Sequence, residues 1–228
     1  MASVTVTGSL ICSDGTMIPL RNDSQAEGTE FSLTTDTNFT TVAQNAGDYV
    51  PGKTVQRGIV NAPNGIAYAY VLRQGLIAAL IPVSVSGVQN SAPVPMPRAL
   101  TLQAGDIVRV LHLTNSARNC SASIVTNTGN QRIFQATPSG AATNSMTDLQ
   151  TSNSLGDTLQ GETIVGGWVT SVDGAKIVTP GGGIVVIDAA GNAVGSLGAS
   201  NPAAVQADVS QVSIPVALNW SMAIITNA

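Results

Sequence analysis

"YAYVLRQGLIAALIPVSV", residues 68–85, is the most apolar stretch of a 228-residue chain, and its reading decides the fold. A membrane-spanning helix needs about 20 mostly apolar residues in one run. This stretch is shorter, and Arg73, Gln74, Gly75 and Pro82 interrupt it. A charged side chain at mid-membrane costs roughly 2.5–3.5 kcal/mol on insertion scales. Positive flanks that would set an orientation are missing. A β-hairpin fits better. Ile66, Tyr68 and Tyr70 alternate with the small Ala67 and Ala69. Arg73-Gln74-Gly75 then makes a turn and Leu76 to Val85 returns. Pro82 cannot donate to a ladder and belongs at an edge or a bulge. Asn64-Gly65, just upstream, is a hairpin signal of its own. Membrane contact remains only as an interfacial role for this segment, where Tyr68 and Tyr70 would suit a headgroup layer.

The rest of the chain reads the same way. Short runs rich in Val, Ile and Thr are punctuated by Gly, Asn, Asp and Pro, the pattern of strands and turns. Strands are expected at Thr5 to Thr7, Thr16 to Leu20, Val55 to Val60, Ala99 to Leu102, Ile107 to Leu113 and Ala122 to Thr126. More follow at Ile133 to Ala136, Thr163 to Val172, Lys176 to Thr179, Ile184 to Asp188 and Ala193 to Ser196. Val212 to Ile225 closes the chain, with a bend at Pro215. Asp14-Gly15, Asp173-Gly174 and Gly191-Asn192 read as tight turns. The best helix candidate, Ser145 to Gln150, is short.

Three polar stretches interrupt the strands. Residues 21–53 form a long excursion with weak strands such as Phe39 to Ala43. Residues 87–98, "GVQNSAPVPMPR", carry prolines at alternating positions and should be extended like polyproline II. They serve as a strap or mark a domain boundary. Residues 137–161 have little to bury. The expectation is an all-β, jelly-roll-like antiparallel β-sandwich with long polar loops and extra hairpins. It spans residues 1–228 as a single domain, since the piece before the Pro-rich stretch has few strong strands and small domains are marginal. No internal repeat at a fixed period is visible.

Composition narrows the function. Charged residues make up 10% of the chain, against about 25% in typical soluble domains. Such a surface suits a protein whose faces are covered by neighbours or that lives outside a cell. The net charge is −4, with Lys53 and Lys176 the only lysines. Nucleic-acid binding depends on Lys and Arg neutralising phosphates, so direct genome binding is not expected. The opening "MASVTVTGSLICSDG" lacks the features of a secretory signal. Virion proteins reconcile an outward-looking composition with no export label, because they assemble in the host cytoplasm and are exposed later; a protein secreted without a signal would reconcile them too.

The residues able to carry chemistry read mostly as structural. His112 shares a strand face with Val108 and Val110 and reads as a packed core histidine. A catalytic triad would have to use it, yet nothing like G-x-S-x-G surrounds any serine. Cys12 and Cys120 match no zinc spacing and read as buried thiols; a disulfide between them would require the fold to bring their Cα atoms within about 7 Å. Asp173 and Asp188 sit in turns, where Asp normally bonds its own backbone. Gly181-Gly182-Gly183 precedes a strand rather than the helix of a phosphate loop. Asp157 and Glu162 are the least implausible carboxylate pair, and Trp168 and Trp220 are expected in the core. Sequons at Asn22, Asn38, Asn119 and Asn219 are near chance number for this composition. No catalytic, cofactor-binding or metal residue is therefore assigned, and an enzyme is not expected.

The β-rich order, "LQAGDIVRVLHL" leading a strong strand, and the long polar loops resemble single jelly-roll capsid proteins. A jelly roll has eight strands in two packed sheets. The resemblance implies a structural protein of a virus particle that self-assembles as a shell subunit. Its partners would be copies of itself and other virion proteins, with no cofactor. A phage decoration or spike protein, or a cell-surface adhesin module, fits the same composition. A glycan-active β-sandwich would be marked by a convergent polar pocket.

Overall fold

The computed structural model describes residues 3–225 apart from 27, 62–66, 85–92, 113–119, 137–143, 172–182, 188–192, 199–206 and 209–213. The chain divides into two compact units, residues 1–114 and 115–228. The boundary considered at 87–98 is not where they divide: from Val94 that stretch is a strand of unit 1.

Unit 1 holds β1 (Ser3–Cys12), β2 (Met17–Ala26), β3 (Glu30–Thr35), α1 (Ala46–Tyr49), β4 (Thr54–Asn61), β5 (Ala67–Arg73), β6 (Leu76–Ile81), β7 (Val83–Ser84), β8 (Val94–Thr101) and β9 (Ile107–His112). Unit 2 holds β10 (Cys120–Thr126), β11 (Gln131–Ala136), β12 (Asn144–Asp148), α2 (Leu155–Leu159), β13 (Thr163–Ser171), β14 (Gly183–Ile187), β15 (Ala193–Gly198), β16 (Ala207–Asp208), β17 (Ile214–Pro215) and β18 (Ser221–Ile225). The all-β class expected from the sequence is present, as antiparallel sheets curled into a nearly closed barrel and a half-barrel.

The opening stretch is the β5–β6 hairpin. Arg73 pairs with Leu76, leaving Gln74 and Gly75 as a two-residue loop. Both have positive φ, 50° and 81°, the signature of the turn type that matches strand twist. Tyr68 through Val71 are all buried, so this is a core hairpin. Pro82 separates β6 from β7, and its carbonyl accepts the Val60 amide at 2.9 Å. The alternation in β9 sends Val108, Val110 and His112 inward. They join Val6, Leu10, Ile18, Leu20 and Leu33 in the buried interior of unit 1. Each such aliphatic side chain contributes roughly 1.5–3 kcal/mol by leaving water. Among the described residues, no helix is long and apolar enough to cross a membrane.

The two units repeat one topology. Unit 1 runs β6-β5-β9-β3-β2-β1-β4-β7 with β8 also on β4, and unit 2 runs β15-β14-β18-β12-β11-β10-β13-β16 with β17 on β13. Adding nine to each strand number turns the first order into the second. The irregularities repeat as well. The register of β1 on β4 slips at Ile11/Cys12, and that of β10 on β13 slips at Val125/Thr126. The short helices dock alike: the Gly47 amide donates to the Asp106 carbonyl and the Gly156 amide to the Trp220 carbonyl. A Cβ on Gly47 would overlap the Gln103 carbonyl oxygen, and one on Gly156 would overlap the Trp220 amide nitrogen. Glycine is required in both helices by this close approach. One pairing differs: β7 lies parallel to β4, whereas β16 lies antiparallel to β13.

Several sequence expectations are corrected. Ser145 to Gln150 is not a helix; most of it is β12, paired with β11 and β18. Phe39 to Ala43 forms turns and bends rather than a strand. Trp220 lies half-buried just before β18 rather than inside a strand. Lys176 to Thr179 and the turns at 64–65, 173–174 and 191–192 lie outside the described residues.

Candidate functional site

An open cleft of about 440 Å³ in unit 1 is lined by β2, β3 and the loop that follows β3. Pairing of Leu20 with Thr35 and Arg21 with Thr34 brings the strand ends together. The loop is fixed by its own backbone. Phe39 and Thr40 amides donate to the Asp36 carbonyl at 2.9 and 3.0 Å. The Asn38 amide donates to Asp36 Oδ1 at 2.9 Å. The Thr35 hydroxyl donates to the Val42 carbonyl at 2.9 Å and accepts the Gln44 amide at 3.2 Å, closing the loop. Ala43 is the one apolar lining residue.

Three charges face the cleft. Arg21 Nη2 lies 2.9 Å from Asp23 Oδ1. The Arg21 hydrogen bond holds the Asp23 carboxyl below its ordinary range, and Asp23 in turn raises the guanidinium. Asp36 is 7% exposed. Beyond the lining, the loop tip presents Phe39 and Val42, 74% and 62% exposed.

The counterpart of this loop in unit 2 is shorter. The first loop residue is equivalent in both: the Asp36 amide donates to the Pro19 carbonyl and the Leu149 amide to the Ile133 carbonyl. The loops close alike, by the Thr35 amide on the Gln44 carbonyl and the Asp148 amide on the Asn153 carbonyl. Eight residues, 36–43, lie between in unit 1, but only four, 149–152, in unit 2. Asp148, in place of Thr35, instead uses Oδ1 to accept the Gln150 amide at 2.7 Å. The cleft therefore belongs to a four-residue extension of one copy.

A second contrast lies at the β1–β2 and β10–β11 turns. The same backbone closes both: Gly15 donates to Cys12 and Gly129 to Thr126. In unit 1, Lys53 Nζ clamps the turn through Asp14 Oδ2 at 2.8 Å and the Thr16 hydroxyl at 2.5 Å. Lys53 holds the Asp14 carboxyl well below its usual range. Glu162 occupies the Lys53 position of unit 2. It accepts from the Thr128 hydroxyl at 2.8 Å, and from Thr126 and Asn130. Burial pushes the Glu162 carboxyl up, but these hydrogen bonds outweigh it and hold it below its ordinary 4.5.

The residues singled out from sequence fall mostly into structural roles. His112 is fully buried at the end of β9. Cys12 is a buried free thiol whose pKa burial raises. Asp157 accepts the Ser154 hydroxyl at 2.7 Å at the start of α2, while Glu162 serves the turn, so each carboxylate has its own partners. Gly183 opens β14. Asn22 donates to the Ser32 carbonyl, Asn219 sits in a left-handed turn at φ 62°, and Asn38 lines the cleft. The side chains of Cys120 and Trp168, and residues Asn119, Asp173 and Asp188, lie outside the description. The cleft was missed because its loop is a run of Thr, Asp and Asn without a motif. The shared topology did leave a trace in the sequence. "AGDYVPGKT" at 46–54 and "LGDTLQGET" at 155–163 share Gly-Asp, then Gly, then Thr at the same spacing. No protein-family model, curated protein or solved structure matches this chain.

Proposed function

We propose that this chain is a structural protein of a virus particle that self-assembles as a shell subunit. The observation that carries this reading is a charge-poor, β-built chain whose exposed large apolar residues sit largely on turns and loops. Charged residues are 10% of the sequence. Met17 and Leu76 flank hairpin turns and Leu218 lies on a loop, all more than half exposed. Such positions suit contacts with neighbouring subunits, where apolar anchors carry most of the energy. Many weak contacts suffice in a shell, because each raises the effective concentration for the next. The partners are copies of itself and other virion proteins, with the genome held by another layer, in keeping with a net charge of −4. The resemblance to single jelly-roll capsid proteins supports the class of protein; the strand order is this chain's own. A decoration, spike or adhesin role is the second reading, favoured by the cleft on unit 1. Light scattering with negative-stain microscopy across concentration and salt tests the proposal. Shells, sheets or symmetric rings are expected. A monomer under every condition would overturn self-assembly and leave the second reading.

A further inference from the structure

We propose that the cleft of unit 1 is a recognition site for neutral saccharides. The inference is independent of shell formation, since a monomer would carry the same cleft. Its volume, about 440 Å³, falls within the usual range of small-ligand sites, about 300–1,000 Å³. Most such sites are mainly apolar, yet here Ala43 is the sole apolar lining residue. A polar lining selects a ligand rich in hydroxyl groups over a greasy one.

The groups on offer match that chemistry. Among the described residues, nothing is bonded to the Asn38 side-chain amide, the Thr37 hydroxyl or Asp36 Oδ2. Together they supply donors and acceptors in close succession, as neighbouring sugar hydroxyls require. Asp36 is held by the loop backbone, so its free oxygen is pre-positioned. Phe39 follows Asn38 directly and is 74% exposed in a loop pinned by hydrogen bonds. An exposed ring of this kind offers a flat apolar face for the C–H face of a pyranose.

Charge argues for a neutral ligand. Arg21 is ion-paired with Asp23 and also feels the Asp36 charge, so one guanidinium meets two carboxylates and the cleft is net negative. An acidic sugar would meet that negative charge. A metal cation would need converging ligands, and among the described residues no three His, Cys, Asp or Glu side chains group together. The comparison between units adds a further argument. The eight-residue loop that builds the cleft is replaced by four residues in unit 2. Loops on a rigid scaffold accept insertions and carry binding functions.

The test is ligand-observed NMR and calorimetry on the full chain. Methyl α-mannopyranoside, methyl β-galactopyranoside and N-acetyllactosamine serve as neutral probes, with sialyllactose as the acidic control. At least one neutral probe is expected to bind, with amide shifts confined to residues 20–23 and 34–43. Phe39→Ala and Asn38→Ala, both at exposed positions, should each weaken that binding by about tenfold, the loss of roughly one contact of 1.4 kcal/mol. The inference is overturned if no neutral probe binds at millimolar concentration. It is also overturned if sialyllactose alone binds, or if binding survives the Phe39→Ala/Asn38→Ala double variant unchanged.

Discussion

Units 1 and 2 use the same backbone for different side chains, and the difference teaches which interactions define the fold. Equivalent positions hold Cys12 and Thr126, Lys53 and Glu162, Asp106 and Trp220, Thr35 and Asp148. None of these pairs is conservative. Yet the hydrogen bonds around them coincide: Gly52 donates to Leu102 as Gly161 does to Val216, and Leu102 donates to Lys53 as Val216 does to Glu162. The left-handed residue before β9 is Gly105 and before β18 is Asn219, residue types that visit that conformation at low cost. Main-chain pairing and close approach are kept, while the polar clamps are free to invert in sign.

This account can be broken at matched positions. The largest effects belong to the cores. Val110 on β9 is fully buried, and Val110→Asp would place an unpaired carboxylate among apolar side chains. Loss of several kcal/mol is expected, and circular dichroism should show unit 1 unfolded. A soluble, native-like variant would remove β9 from the core. Next come the helix glycines. Gly47→Ala and Gly156→Ala each force a Cβ into backbone atoms, so each should cost on the order of 3 kcal/mol in urea denaturation. Equal penalties are expected, and a neutral result in either unit would break the equivalence there.

The clamps should instead separate the units. Arg73 makes two hydrogen bonds to Asp106, which is 1% exposed, at 2.8 and 2.6 Å. Arg73→Ala leaves that buried carboxylate without its counter-charge, with the Gln103 amide still donating to it at 2.8 Å, a loss of about 3 kcal/mol. Unit 2 has Trp220 in place of Asp106, so the penalty should fall on unit 1 only. Glu162 provides a pH test. Its folded pKa is depressed, so its contribution is present above its ordinary 4.5 and is lost as pH falls through the folded value. Glu162→Gln should reduce stability by about 1 kcal/mol at neutral pH. It should also flatten the acid limb of unit 2. The Lys53–Asp14 clamp is exposed and screened by solvent, so Lys53→Met should have the smallest effect, shifting the urea midpoint less than Glu162→Gln does.

Much of the fold was legible from the sequence because strands with one buried face alternate. β9 reads directly from that pattern, whereas β5 and β10, buried on consecutive residues, read from their β-rich composition between turn signals, and Gln74-Gly75 from turn chemistry. β12 was not legible. Its residues "NSMTD" have weak strand propensity, and pairing with β11 and β18 overrides it. The repeat was hidden for the reason just given: it lives in main-chain bonds, which leave only Gly-Asp, Gly and Thr in register. The cleft was illegible because a loop's shape depends on where its ends are held, here at Thr35 and Gln44.

Amide hydrogen exchange by NMR on the intact chain tests the central claim, one hydrogen-bond scaffold used twice, most directly. Protected amides should come in matched sets: Asp36 with Leu149, Gly47 with Gly156, Gly52 with Gly161, and Leu102 with Val216. Protection of one member of these pairs, with free exchange at its counterpart, would contradict a shared scaffold.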